Sequence, residues 1–128
     1  MRPEGLWPPR TGEPLPRAAK AVGVHRKLAG YSLDLTHEEG GPKARGFALI
    51  LGITLDDINY LAAEITAGVL QTPISTVEEN PPYGISCVVN LPIRGLGPKT
   101  DRIVNVRTAW LIADADTPPR LVSAYIKP

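Results

Sequence analysis

The sequence predicts an α+β fold in which N-terminal helices pack on one face of a roughly four-stranded antiparallel sheet. Apolar residues repeat at helical spacing in the first half of the chain, and the period changes to two after Pro73. Turn-forming residues separate the segments of the second half, which is typical of strands. Helices followed by a run of strands indicate an antiparallel sheet with helices on one side.

Three helices are predicted in the first half. The third has the strongest signals, because Thr54 can cap it and Asp57 lies near the positive end of its dipole. Pro73 closes it. The predicted segments are a helix over 18–29 that Gly30 ends, an extended segment over 31–35, a loop over 37–42, a helix over 43–51 and the helix that begins at Thr54.

Four strands are predicted in the second half, over 74–78, 85–91, 102–113 and 120–127. In the third strand the residues that alternate onto the core face are Val104, Val106, Thr108, Trp110 and Ile112. Arg107 then faces away from the helices or into a groove at the sheet edge. In the last strand, alternation places Leu121 on the same face as Ser123 and Tyr125.

The chain of 128 residues is long enough for one domain with its own core. Residues 1–18 are rich in proline and are predicted to be an extended tail or linker, because proline blocks helix formation. Residues 19–128 are predicted to form a single α+β domain.

The composition argues against several classes of protein. A formal net charge of +1 gives no overall field that would attract nucleic acid, so RNA binding would depend on a local patch. Cys87 is the only cysteine, which excludes a disulfide within the chain. Neither zinc spacing, a calcium loop nor a phosphate-binding glycine loop is present, so we predict no metal and no cofactor. No apolar run approaches the roughly 20 residues that span a bilayer, so no membrane partner is predicted.

Basic and hydroxyl-bearing residues form the candidate site. Metal-free RNA cleavage needs a base for the 2′-hydroxyl, an acid for the leaving oxygen and cations that stabilise the phosphorane. The residues that could supply these groups are His37, Lys43, Arg45, Arg107, Thr108, Arg120, Ser123 and Tyr125. The alternative is that the lysines and arginines only solvate an exposed sheet face. Strand alternation also separates Thr108 from Arg107 unless a bulge intervenes.

Several of these residues fall in motifs of a known kind. The chain resembles a family of small bacterial domains of unknown function over about residues 28–127. In that family a lysine–alanine–arginine–x–phenylalanine helix ends in leucine–glycine. The matching segments are Tyr31-Ser-Leu-Asp-Leu-Thr-His37, Gly41-Pro-Lys-Ala-Arg-Gly-Phe47, Leu51-Gly52, Tyr83-Gly84, Val106-Arg-Thr-Ala-Trp-Leu-Ile112 and Pro119-Arg-Leu-Val-Ser-Ala-Tyr125.

The layout of that family is similar to the barnase–EndoU–colicin–RelE group of toxin ribonucleases. This resemblance implies a metal-independent ribonuclease in which Lys43 and Arg107 or Arg120 stabilise phosphate, and His37 or Lys43 moves protons. With it, the candidate catalytic residues are His37, Lys43, Arg107, Arg120 and Ser123, and the candidate substrate-binding residues are Arg45, Thr108 and Tyr125.

The sequence therefore favours two functions. The first is an RNase-like toxin module that acts on RNA and has a cognate antitoxin or immunity protein. The second is a non-catalytic module that holds a protein partner on the exposed sheet face or edge. Either would act in the cytoplasm, which for a toxin is that of the target cell. The sequence leaves the oligomeric state open.

Overall fold

The fold is α+β, with helices on one face of a four-stranded antiparallel sheet, which confirms the predicted class. The computed structural model describes residues 7–127. The strands pair in chain order, so β1 and β4 are the sheet edges. Their bounds are β1 Thr76–Asn80, β2 Gly84–Arg94, β3 Ile103–Ile112 and β4 Arg120–Ile126.

Three α-helices precede the sheet. They are α1 Val24–Lys27, α2 Gly41–Gly46 and α3 Ile58–Val69. The first two continue into wider, π-helical turns over Leu28–Ser32 and Phe47–Leu51. The second helical segment thus ends at Leu51, as predicted, and Gly46 does not interrupt it.

The predicted cap at Thr54 forms on a 3₁₀ turn, Leu55–Asp57, which leads into α3, so the α-helix itself begins at Ile58 rather than at Thr54. The backbone N–H and the hydroxyl of Thr54 donate to Oδ2 of Asp57 at 3.0 and 3.3 Å. The apolar stripe of the helix then packs on the sheet, with Leu61, Ile65 and Val69 fully buried. Local capping and a regular stripe agree here, so the prediction was accurate apart from the first turn.

The first predicted helix is divided. Gly23 has φ +79°, a left-handed conformation that separates the 3₁₀ turn at Ala18–Lys20 from α1. The prediction of an extended segment over 31–35 was wrong at its start, because Tyr31 and Ser32 continue the helical turns after α1. This turn brings Tyr31 close to α2.

The core face of β3 is the one that alternation predicts. Trp110 is fully buried, and its indole Nε1 donates to the hydroxyl of Thr108 at 2.9 Å. That hydroxyl donates to the carbonyl of Val89 at 2.6 Å. Cys87 is buried in the same core, and burial raises the pKa of its thiol to about 11. Thr108, Trp110 and Cys87 are therefore structural residues of the core.

A β-bulge changes the faces of β4. The register shifts between Ala109 and Trp110, so that Trp110 faces Leu121 while Ala109 faces Ser123. The predicted grouping of Leu121 with Ser123 and Tyr125 was therefore wrong, because the extra residue, Val122, returns Leu121 to the core. Ser123 and Tyr125 stay on the opposite face.

The segment 7–18 lies against the domain. Leu15 is 3% exposed and belongs to the core, and Trp7 packs against that core. The amide of Gly12 donates to the carbonyl of Ile74 at 2.8 Å. Residues 7–18 of the predicted tail are thus packed against the domain, while residues 1–6 lie outside the described residues. Experiments on the protein therefore need the whole chain.

Within residues 7–127 no single helix is long and apolar enough to cross a membrane. One bent pair, Gly41–Leu51 with Leu55–Val69 at 75°, has the combined length and composition. Phe47, Leu51 and Leu61 of the pair are fully buried in the core, whereas Leu49 and Leu55 are 71% and 49% exposed.

Candidate functional site

A lysine lies between two tyrosines at the β4 edge of the sheet. Lys43, on the first turn of α2, donates from Nζ to the hydroxyl of Tyr31. Its Nζ is 4.4 Å from the centroid of the Tyr31 ring and 5.0 Å from that of Tyr125. An ammonium this close to two ring systems is held by cation–π attraction as well as by the hydrogen bond.

Arg107 extends this arrangement onto the outer face of the sheet. Arg107 faces Tyr125 across β3 and β4, and its guanidinium carbon is 5.6 Å from the Tyr125 ring centroid. On its other side Arg107 faces Asn90 of β2. The Oδ1 atom of Asn90 is shielded from solvent and has no hydrogen-bond partner among the described residues. The outer face of the sheet thus holds an unpaired acceptor oxygen in the residue that pairs with Arg107.

His37 completes the arrangement from the loop before α2. Its ring packs edge-on against Tyr31, with centroids 5.0 Å apart and planes at 78°. Its Nδ1 accepts the backbone N–H groups of Glu39 and Gly40 at 3.0 and 2.9 Å. The neutral ring therefore carries its proton on Nε2, which has no acceptor among residues 7–127 and could donate to a ligand. We call Tyr31, His37, Lys43, Arg107 and Tyr125 the Lys43 cluster.

The loop that carries His37 is fixed by its own hydrogen bonds. The backbone N–H and hydroxyl of Thr36 donate to Oδ1 of Asp34 at 2.9 and 2.6 Å. These bonds hold the pKa of Asp34 below its usual range. At the end of the loop, a Cβ on Gly40 would lie 2.1 Å from the carbonyl oxygen of Tyr31. Only glycine lets α2 begin this close to the turn that carries Tyr31.

The cluster has an uncompensated positive charge. Neither Lys43 nor Arg107 forms an ion pair with any residue in 7–127, and both are half-buried. Lys27 adds a third cation, with Nζ 5.6 Å from the Tyr31 ring centroid. Cations that are partly removed from water and lack carboxylate partners favour an anionic ligand.

The other predicted site residues lie in different parts of the structure, and only some of them lie near the cluster. Ser123 lies on the face of Arg107, diagonal to it across the strand pair. Arg45 is exposed on α2, and no contact within 7–127 joins it to the cluster. Thr108 is fully buried under Trp110, so its predicted substrate-binding role was wrong. Arg120 faces Leu111, four residues along β3 from Arg107, and lines a separate groove.

Sequence reasoning missed three residues of this region: Tyr31, Lys27 and Asn90. Tyr31 was placed in an extended segment, and only the helical turn after α1 brings it to Lys43. Asn90 becomes a neighbour of Arg107 only through the β2–β3 register. The family motif that runs from Tyr31 to His37 was a sequence signal that could have identified Tyr31.

The fold and the cluster together define a small α+β domain with a cationic and aromatic surface at one sheet edge. The chain belongs to the family described as Domain of unknown function (DUF6883), whose model matches residues 14–128. No curated protein and no solved structure matches the chain. The family match confirms the predicted membership in a domain family of unknown function, and the likeness to toxin ribonucleases stays a prediction.

Proposed function

We propose that the domain binds single-stranded RNA at the Lys43 cluster and cleaves it without a metal ion, as a toxin-type ribonuclease would. The observation that carries the proposal is the position of Lys43 between the rings of Tyr31 and Tyr125, with Arg107 beside it and no carboxylate partner among residues 7–127. Single strands are held by aromatic rings that stack on bases together with cations that contact phosphates.

The chemistry suits transfer of the phosphate to the neighbouring 2′-hydroxyl. Lys43 and Arg107 would stabilise the negative charge of the phosphorane. Tyr31 would give its phenolic proton to the departing 5′-oxygen, and the Lys43 ammonium that donates to its hydroxyl would stabilise the phenolate. A solvent water would act as the base that takes the proton of the 2′-hydroxyl.

His37 has a supporting role in this scheme. Its Nδ1 is occupied by two backbone N–H groups, so acting as a base through Nε2 would require the other tautomer and the loss of both bonds. The Nε2–H group can instead donate to a phosphate oxygen. Ser123 and Asn90 would offer neutral polar groups to the adjoining nucleotide.

Cleavage in the presence of EDTA tests the proposal. The full chain should cut a labelled single-stranded RNA into fragments that end in 2′,3′-cyclic phosphate. The DNA strand of the same sequence should remain intact, because it lacks the attacking hydroxyl. Cleavage that stops on addition of EDTA, or that cuts DNA equally, would contradict the mechanism.

A second function, the protein-binding module, is favoured by a different surface. An apolar cavity of about 280 Å³ opens between Leu35 and Leu55, which are 56% and 49% exposed. Asp34 and Asp56 lie on its lining. This charge complements a basic segment of a protein partner that inserts one apolar side chain. A partner seated there would contact the loop that carries His37.

A further inference from the structure

A basic groove runs beside the start of β4. It has a volume of about 780 Å³ and is lined by residues 21–27, Thr66, Arg120 and Leu121. Arg26, Lys27 and Arg120 supply its charge, His25 adds a titratable ring, and none of the lining residues is acidic. In a chain with a net charge of only +1, this is a marked local segregation of cations.

The fold keeps Arg120 on the groove wall. The amide of Val22 donates to the carbonyl of Pro119 at 2.9 Å, and that of Leu121 donates to the carbonyl of Val22 at 3.1 Å. These bonds fix the segment before α1 against β4. A Cβ on Gly23 would lie 3.2 Å from Cγ of Arg120, so the glycine lets the arginine stem lie flat on the backbone.

Lys27 links this separate groove to the Lys43 cluster. Lys27 lines the groove, and its Nζ also approaches the ring of Tyr31, which contacts Lys43. Arg120 and Tyr125 face residues four positions apart on β3, which corresponds to about 13 Å along a strand. Stacked nucleotides rise about 3.4 Å each, so this path would hold about four of them.

We propose that the groove is an extended substrate site that binds the backbone phosphates of nucleotides flanking the one at the cluster. The inference rests on the proposed function, and it narrows the substrate class to single strands of at least about five nucleotides. Arg26 and Arg120 would contact phosphates in the groove, and Lys27 links the groove to the cluster.

Binding of an uncleavable strand tests this site separately from catalysis. The probes are a 2′-O-methyl RNA decamer and the matching dinucleotide, followed by fluorescence anisotropy at several salt concentrations. The groove variant is Arg26→Gln with Arg120→Gln. The control is Arg10→Gln with Arg102→Gln, which removes the same charge from exposed residues that do not line the groove.

The groove variant should bind the decamer roughly 25-fold more weakly than the control at about 0.1 M salt, with a salt slope lower by about 1.4 for two lost phosphate contacts. Both variants should bind the dinucleotide alike. Equal binding of the decamer by the groove variant and the control variant would overturn the proposed phosphate site. Binding of polyglutamate with the same salt slope would also overturn the proposal, because it would identify the groove as a site for an acidic protein.

The two proposals can fail separately. Decamer binding that depends on the groove, without any cleavage of natural RNA, would refute cleavage and leave the groove in place. Cleavage with unchanged decamer binding would refute the groove alone. The variant Arg120→Lys, which keeps the charge, should bind nearly as the wild type does, and a loss there would indicate a packing role for Arg120 and contradict the phosphate contact.

Discussion

Replacement of Lys43 by alanine should lower the rate of RNA cleavage by about 100-fold or more, the usual cost of removing one group that stabilises the transition state. The ammonium donates to Tyr31 and lies 5.0 Å from the Tyr125 ring centroid, so its loss removes both the cation and the partner of the phenolic group. Initial rates on a labelled single-stranded RNA, at saturating and limiting substrate, measure the effect.

Two further variants test whether the lower rate comes from the Lys43 cluster itself or from a general loss of charge or fold. Lys99→Ala removes an equal charge in the turn between β2 and β3 and should leave the rate unchanged. Tyr31→Phe keeps the ring but removes the proton, so kcat should fall while KM changes little. If Lys43→Ala cuts RNA as fast as Lys99→Ala does, the cluster is not the site of cleavage.

Replacement of Trp110 by alanine should lower the free energy of unfolding by about 3–5 kcal/mol, the usual loss for a buried tryptophan. The side chain is fully buried between sheet and helices, and its loss leaves a cavity and frees the hydroxyl of Thr108 from its donor. The free energy of unfolding of a small domain is about 5–15 kcal/mol in total, so this substitution should remove much of it. Urea unfolding followed by circular dichroism measures the loss.

Ile103→Ala on the same strand is the control. Ile103 is 53% exposed, so its truncation should change the free energy of unfolding by about 0.5 kcal/mol or less. A loss of less than about 1 kcal/mol for Trp110→Ala would show that this face of β3 is not the principal core.

Local signals account for the elements that sequence reasoning predicted well. The cap at Thr54 and the apolar stripe after it mark α3, and alternation assigns Trp110 and Thr108 to the core face. Alternation also separates Arg107 from Thr108, which argued against a single site containing both. The overall fold class follows from the order of these signals along the chain.

The remaining features depend on long-range contacts. A single extra residue in β4 returns Leu121 to the core, and nothing in the local sequence specifies a bulge at that position. Tyr31 joins Lys43 through a turn that propensity does not reveal, and Asn90 meets Arg107 only through strand register. The sequence therefore named Lys43, Arg107 and Tyr125 but missed the groups that complete their surroundings.

The most direct measurement is an NMR titration of the full chain with an uncleavable 2′-O-methyl RNA trinucleotide. Binding at the Lys43 cluster predicts saturable shifts of the Asn90 side-chain amide and of the Tyr31 and Tyr125 rings, with little change around Leu35 and Leu55. Saturable shifts confined to the Leu35–Leu55 cavity, or no shift at the cluster at saturating RNA, would contradict the assignment of this surface to RNA.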